Sequence, residues 1–574
     1  MKTLDFGQRK FNSILIASVL ELTVGAFLSL TDCAIIGRIV GEDGLSAMNG
    51  IMPLMTVSIF VGSVIASGSA LAYSKSVSAF RKEEAYGSFG LSVLLAALAG
   101  LMLMLIGLLV IPRYLLRIGA PEDVRMLAGQ YMACFSVCLL ISPAKDLMSS
   151  LVYSDGGEAL GAASAIADSF GNVILSILLG LKLGMIGIAL GTLLSNLLSM
   201  LLLTAHFFRP RCSLRLRFAF SWDKLWLILR TGFNSDIMFL YLALLSVLCN
   251  WIVINRFGAE YLPMLTVLYA AIEIDVILES AGVAIRPLIA VYAAEGNVPA
   301  VRTLMRYAGL INLLMGLLIS VLFLVSAPWI PVLFDFEKGS ALFQICVKGL
   351  RLYALACIPM ALLALYDSYW LYIDRQKLSL LCNTLKYLLC SAVLAPLLSL
   401  LLGPAGLWLG FGLAPLMSLG IILVLGGTVY RNAGFPLLMK DEGTVLDHSI
   451  ELAPEAVVET RRAIKQFLLE HGVERQAIDL AILSLEELLL LTKEKNPEKR
   501  IWVECFVRIE KEGVRLSLWD SGVTFDNTDE ELPVNSFRAY IVSRVLQLNV
   551  SSNYMQNVGF NRTQLFFPYS EVRP

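Results

Sequence analysis

Long apolar stretches broken by short polar turns fill the first three quarters of the chain. Near Arg431 the pattern turns polar and stays so to the end. A helix crosses the hydrocarbon of a bilayer with about 20 apolar residues. Stretches of that kind occupy roughly 11–36, 47–74, 88–112, 128–153, 160–181, 186–208, 224–255, 262–294, 304–327, 341–373, 379–402 and 406–430. After residue 444 the period changes from one element to the next. Segments around 454–471 and from Ala477 to Lys495 carry apolar residues at helical spacing. Ile501–Val507 and Val514–Trp519 read as strands, Ser536–Leu548 as a helix, and Thr563–Phe567 as a closing strand.

Composition supports a membrane assignment. Hydrophobic residues make up 57% of the chain and charged residues 16%, where soluble domains carry about 25% charge. No short apolar segment with a small-residue cleavage site opens the chain, so the first span is expected to be retained. Basic residues gather at one set of span ends, among them Lys2, Arg9, Lys10, Arg81, Lys82, Arg209, Arg211, Arg302, Arg306, Arg375 and Arg431. By the positive-inside rule those ends face the cytoplasm, and an even number of spans puts both termini and the tail there. The expected location is the cytoplasmic (inner) membrane of a bacterium, multi-pass. A net charge of −1 without basic tracts argues against a nucleic-acid partner. The ten cysteines are scattered and the three histidines lie far apart, which points to packing rather than to a disulfide framework or a metal centre.

The two halves of the apolar region repeat at an offset of about 219 residues. Leu183-Gly184-Met185-Ile186-Gly187-Ile188-Ala189-Leu190-Gly191 recurs as Leu402-Gly403-Pro404-Ala405-Gly406-Leu407-Trp408-Leu409-Gly410, and Ser199 matches Ser418. Ile36-Gly37-Arg38 aligns with Ile254-Asn255-Arg256, and the regions after Tyr73 and Tyr292 correspond in position. The expected fold is mainly α: twelve membrane helices in two six-helix bundles, residues 1–218 and 219–436, followed by a cytoplasmic α/β sandwich over 444–574. Paired halves of this kind suit a carrier that binds a small molecule between them near the bilayer midplane.

Several stretches resemble the MATE (multidrug and toxic compound extrusion) exporters. They are Asp32 with Ile36-Gly37-Arg38, Gly44-Leu45-Ser46-Ala47-Met48-Asn49 leading to Met52-Pro53-Leu54, and Asp155-Gly156-Gly157-Glu158-Ala159-Leu160 through Asn172-Val173-Ile174-Leu175. The likeness covers about residues 10–430 and is stronger in the first half. It implies a V-shaped pair of bundles that exports organic, often cationic compounds in exchange for H⁺ or Na⁺. Asp32 matches the family's cation-site aspartate and Asn172 its asparagine on the fifth span. Where many members carry a second acid, this chain has Ser176, and Asp168 lies one turn earlier on the same face. Asp32, Asp168, Asn172 and Ser176 are thus the candidates for coupling to H⁺, or to Na⁺ at Asp32, with no other cofactor expected.

Ionisable groups inside a bilayer are costly and mark functional sites by default. The second half holds Glu273, Asp275 and Glu279 in one span with Arg286 beyond them, and Asp236 and Asp367 as isolated acids. These six are candidates for a substrate cleft. A structural Glu279–Arg286 pair is the plainer alternative, and Lys145-Asp146 are expected to neutralise each other.

In the tail, Glu486-Glu487-Leu488-Leu489, Asp520-Ser521-Gly522-Val523-Thr524-Phe525-Asp526 and Gly559-Phe560-Asn561 resemble, in order, the landmarks of the histidine-kinase-like ATPase domains of anti-sigma-factor serine kinases. The resemblance implies a base at Glu487 and a nucleotide-reading turn at Asp520 and Gly522. The family's Mg²⁺-binding asparagine is Leu491 here, and its glycine-rich phosphate loop is replaced by Pro533-Val534-Asn535-Ser536-Phe537-Arg538. Backbone N–H groups in such loops hold phosphates, so a degenerate nucleotide site without catalysis is expected. Two functions lead, with an intact nucleotide-binding kinase, which would need ATP to bind despite Leu491, as a third. One is an antiporter for organic compounds with a regulatory tail, not an enzyme. The other is a membrane sensor whose lobes bind a ligand and whose tail binds a cytoplasmic regulatory protein.

Overall fold

The computed structural model describes residues 5–569 apart from 118–121, 210–211, 259–260, 262, 334–335, 440–443, 498, 524–550 and 558–559. Its first half comprises α1 (Phe6–Ile39), α2 (Glu42–Ser78), α3 (Lys82–Leu109), the short α4 (Ile111–Arg117), α5 (Glu122–Ser154), α6 (Glu158–Leu183) and α7 (Met185–Thr204). The second half comprises α8 (Trp222–Asp236), α9 (Met238–Arg256), α10 (Pro263–Asp275), α11 (Ser280–Glu295), α12 (Val298–Ser326) and the short α13 (Ile330–Leu333). It continues with α14 (Ala341–Tyr353), α15 (Cys357–Tyr372), α16 (Gln376–Thr384), α17 (Cys390–Leu402) and α18 (Pro404–Thr428). Polar side chains set the starts of these helices. Asp5 accepts from the Gln8 N–H at 2.7 Å while Gln8 accepts from the Asp5 N–H, a reciprocal cap on α1. Asn297 caps α12 through the Ala300 N–H at 3.0 Å, with Pro299 in the first turn.

Helical segments stand at each of the twelve expected places. Among the described residues, nine helices are long and apolar enough to cross a membrane, or ten if the α8–α9 pair, bent by 40°, is one span. The expected spans at α1 and α10–α11 are helical but fall outside those nine or ten. Lipid tails provide no hydrophobic contrast between helices, so close packing through small residues holds such bundles together. The repeat glycines do this twice. A Cβ on Gly187 would sit 2.1 Å from the Leu179 carbonyl oxygen, and one on Gly406 would sit 2.0 Å from that of Leu398. Gly191 and Gly410 likewise press against Ser176 and Ala395. The turns leading into α7 and α18 share a left-handed glycine, φ 58° at Gly184 and 64° at Gly403. The halves meet through α1 against α11 and α2 against α8. At the second contact the backbones touch: Gly68 abuts the Ile228 carbonyl and Gly232 that of Val64.

Among the described residues, the tail forms a five-stranded antiparallel sheet, order β1-β2-β3-β5-β4, of β1 (Thr444–Glu451), β2 (Trp502–Ile509), β3 (Gly513–Asp520), β4 (Ser551–Asn557) and β5 (Phe560–Pro568). Helices α19 (Pro454–Glu470) and α20 (Arg475–Glu494) cover one face. Strand side chains alternate between faces. Val503, Cys505 and Val507 therefore pack under the helices, whereas Glu504 and Arg508 turn to the other face. The expected strands at β2, β3 and β5 are present, and β1 and β4 are additional. The segment Ser536–Leu548, expected to be helical, lies outside the described residues.

That second face lies against the ends of the membrane helices. Phe6, at the start of α1, donates its N–H to Ser449 Oγ at 2.9 Å and sets its ring edge-on to Trp519 and Phe560. The Arg9 guanidinium lies 3.7 Å over the Trp502 ring. Trp519 and Phe560 belong to the same buried cluster as residues of α1, α11 and α15, so the apolar core continues from the bundle into the tail.

Candidate functional site

Where α1, α2, α5, α11 and α15 converge on the end of α8, they enclose a cavity of about 290 Å³. Among the described residues its walls carry three acids, Glu21, Asp146 and Asp236, and one base, Arg286, together with Ser67, Ser149 and Tyr372. The helices supply these groups at points where regular packing is interrupted. Asp236 ends α8 at the bend into α9, Arg286 precedes Pro287 in α11, and Asp146 follows Pro143 in α5. Ser149 Oγ donates to Glu21 at 3.2 Å. Asp236 Oδ2 and Arg286 Nε are buried without a hydrogen bond from the protein, and buried polar atoms of this kind are met by solvent or a bound molecule. A cleft with more carboxylates than cations favours positive charge.

The cavity gathers only part of the expected cleft set. Asp236 and Arg286 line it. Asp275, Glu279 and Asp367 lie in a separate network of the second half. Asp275 accepts from Tyr353 Oη at 2.6 Å and from Cys357 Sγ at 3.7 Å, and Asp367 accepts from Ser379 Oγ. Glu279 accepts from Lys386 Nζ at 2.9 Å and Tyr387 Oη at 2.7 Å. Its ion-pair partner is therefore Lys386, not Arg286, whose Nη2 instead reaches Ser368 Oγ at 3.4 Å. The reason is reach: Lys386 sits on a neighbouring helix at the level of Glu279, in a stretch wound as a π-helix. Glu273 is half-buried on α10 and is not a wall of the cavity.

In the first half the Asp32 side chain lies outside the described residues. Asp168 accepts from Lys145 Nζ at 2.7 Å. Lys145 thus bonds across to α6 instead of to its neighbour Asp146, which is left to face the cavity. Asn172 Oδ1 accepts from Ser176 Oγ at 2.7 Å and Thr192 Oγ1 at 3.2 Å. Ser176 is fully buried under Gly191, where an added Cβ would lie 2.6 Å from the Ser176 Oγ. Sequence reasoning passed over Glu21 and Lys386, although each is a lone charge inside an apolar span, which is the signal that picked out the other candidates.

A further polar cluster ties the first half together. The Asp155 carboxylate accepts from Tyr73 Oη at 3.0 Å and the Ser213 N–H at 2.9 Å, and lies 2.8 Å from His206 Nε2. Asp155, His206 and Cys212 are near enough to share a metal ion. The carboxylate is already taken up by these hydrogen bonds, and the Cys212 thiol points to the Leu214 carbonyl. The cluster therefore acts as a clasp between α2, the α5–α6 turn and the segment after α7.

In the tail, Asp520 Oδ1 accepts from the Gly522 N–H and from Asn561 Nδ2, both at 2.8 Å. The aspartate of the D-x-G turn is thereby engaged within the protein, and a Cβ on Gly522 would lie 2.6 Å from Asn496 Nδ2. Glu487 is half-buried on α20, and Leu491 is buried four residues on. Residues 524–526, 533–538 and Gly559 of the resembling motifs lie outside the described residues. On the opposite face of the sheet, Asp447 and Glu504 are neighbours. Burial, with Asp5 and Glu295 nearby, pushes the Asp447 carboxyl up to about 7, and burial beside Asp447 pushes Glu504 well up.

Residues 17–178 match the MatE family model. No curated protein gives a significant match. Among solved structures, the chain resembles a multidrug resistance MATE family transporter of the MOP superfamily in its outward-facing conformation, with a TM-score of 0.69 and 18% identity over 75% of this chain and 97% of that one. It resembles a MATE P26A mutant at a TM-score of 0.69 and 19% identity, over the same shares of the two chains. A MOP superfamily transporter from Pyrococcus furiosus, described as having a binding pocket of reverse polarity, aligns at a TM-score of 0.68 and 18% identity over 75% and 96% of the two chains. The helical three quarters of the chain therefore has the MATE fold, and its first half also carries the MatE family's sequence pattern.

Proposed function

We propose that the chain is a MATE-type secondary-active antiporter of a bacterial cytoplasmic membrane, with twelve spans and both termini in the cytoplasm. It exports organic, cationic or amphipathic compounds in exchange for H⁺ or Na⁺. The observation that carries this reading is the cavity between the two repeated halves, where Glu21, Asp146 and Asp236 face Arg286. The MatE match over 17–178 and the shared fold support it. Acids outnumber bases in the cleft, which favours cationic cargo. Asp32, Asn172 and Ser176 remain the coupling candidates, with Asp168 tied to Lys145 as a fixed ion pair beside them. The tail is regulatory and not catalytic. Leu491 stands where the Mg²⁺ ligand belongs, and phosphoryl transfer relies on that metal.

The test is flux in proteoliposomes under an imposed H⁺ or Na⁺ gradient. Wild type should move a cationic dye down the exchange gradient, and both Asp32→Asn and Asp236→Asn should lose most of that flux. No gradient-driven flux of any cationic or amphipathic compound would sink the proposal. The docking of the tail sheet on the helix ends favours one second reading, a sensor. In that case ligand binding alone, without flux, would change the exposure of the tail.

A further inference from the structure

We propose that the tail sheet is a clasp on the cytoplasmic gate, holding the cytoplasmic ends of the two halves together until it undocks. The inference deepens the carrier reading above and rests on it for the direction of the membrane. Its structural basis is one side chain, Arg562 of β5. Arg562 Nε donates to Glu295 Oε1 at 2.7 Å, at the end of α11 in the second half. Its Nη1 donates at 2.5 Å to the carbonyl of Ser78, at the end of α2 in the first half. The guanidinium also lies 4.1 Å over the ring of Phe80, in the turn from α2 to α3. A single planar group thus bonds both halves at once. Arginine suits the task because its donors diverge in a fixed fork.

The two anchor points are equivalent. The internal repeat places the end of α2 after Tyr73 in register with the end of α11 after Tyr292. The sheet therefore grips corresponding helix ends of the two halves. Trp519 of β3 completes the grip. Its Nε1 donates to the same Glu295 oxygen at 3.1 Å, and its ring stacks on Tyr292 at 4.6 Å. Arg562, Trp519, Tyr292 and Glu295 are each at most 2% exposed, so the grip is buried, with Arg562 and Glu295 on the wall of a cavity of about 250 Å³. The cavity with Asp236 and Arg286 opens between the same helices, α2 and α11 among them.

Alternating access moves one half against the other around a fixed site. If the cytoplasmic ends part, the Ser78 carbonyl and the Glu295 carboxylate separate, and one guanidinium no longer spans them. Cytoplasmic opening thus requires the tail to let go of at least one half. A ligand or protein that captures the tail would then set the transport rate without touching the cleft.

The test is made on the full-length protein in nanodiscs. Fluorophores are placed by noncanonical amino acids at Lys82 and Arg302, exposed positions at the tail-side ends of α3 and α12, and single-molecule distances are recorded. Wild type should show one short distance. Arg562→Ala should add a longer one, with its population raised on the order of tenfold, the shift that follows from losing a hydrogen bond to a charged group. Arg562→Lys keeps the charge beside Glu295 but lacks the fork, so it should also raise the longer population. Should Arg562→Ala not fold, as judged by melting and gel filtration, Glu295→Gln serves in its place with the same expected shift. An unchanged distribution in a folded Arg562→Ala protein, or Arg562→Lys indistinguishable from wild type, overturns the clasp. The distances need no transport, so a chain without flux can still show the clasp, and a working antiporter without the shift retains its function and loses this inference.

Discussion

Lys386 shows how the helical region tolerates charge at single residues. Its ammonium is buried and held by Glu279 and, over the ring face, by Tyr387. Removing one partner of a buried pair strands the other, which costs about 3–5 kcal/mol, whereas replacing both by apolar or neutral groups is often tolerated. Lys386→Met is accordingly expected to destabilise the detergent-solubilised protein by several kcal/mol, seen as a lower melting temperature. Lys386→Met with Glu279→Gln should recover most of the loss. A double variant no more stable than the single one would mean that Lys386 matters for packing and not for charge. The same reasoning separates Asp168, already paired with Lys145, from Asp236, which keeps an oxygen without a protein partner.

Between elements, helix contact depends on glycines at a few crossings. At the α2–α8 crossing a Cβ on Gly232 would fall 1.8 Å from the Val64 carbonyl, and one on Gly68 2.0 Å from that of Ile228. Neither neighbour is a flexible side-chain end that could swing aside. Gly232→Val should therefore force the helices apart and cost about 1–3 kcal/mol from overpacking, read as a drop in melting temperature. Gly420→Ala, on α18 with open space around its Cβ, should leave the melting temperature unchanged. Equal effects of the two would show that backbone contact at the α2–α8 crossing is not limiting. Much of this level was legible in advance. Spans follow from hydropathy, and the Gly184–Gly191 and Gly403–Gly410 stretches, which the sequence marked only as a repeat, lie at the α6–α7 and α17–α18 contacts in the structure. The bends in α8–α9 and the π-turn at Leu385–Leu389 were not legible, since both depend on what packs beside them.

For the whole molecule, the junction of sheet and bundle should respond to pH. Asp447, half-buried on β1, and Glu504, buried on β2, lie there, facing Asp5 before α1, Tyr292 and Glu295 of α11, and Asn297 at the start of α12. Both carboxyls are raised by burial, Asp447 to about 7. On undocking they return to water and to the ordinary range near 4. The docked state therefore binds more protons. Its stability is fully present below about pH 4 and is lost as pH climbs through about 7. Hydrogen exchange of β1 and β2 in the full-length protein should accordingly be faster at pH 8 than at pH 6, after correction for the intrinsic rate. Asp447→Asn with Glu504→Gln should flatten that difference, and a difference that survives the double change would place the pH response elsewhere.

Local pattern was enough to reveal the apolar spans, the two-fold repeat, two helices and three of the strands of the tail, and which charges stand out against an apolar background. Hydrophobic period and glycine spacing act over a few turns, so they are written in consecutive residues. Only the tertiary structure decided which charges meet. Glu279 pairs with Lys386 and not Arg286, Lys145 with Asp168 and not Asp146, and Arg562 with Glu295 across 267 positions of chain. Partner choice among ions depends on which helix faces are brought together in a water-poor interior. That is a property of the packed whole, and no single segment encodes it.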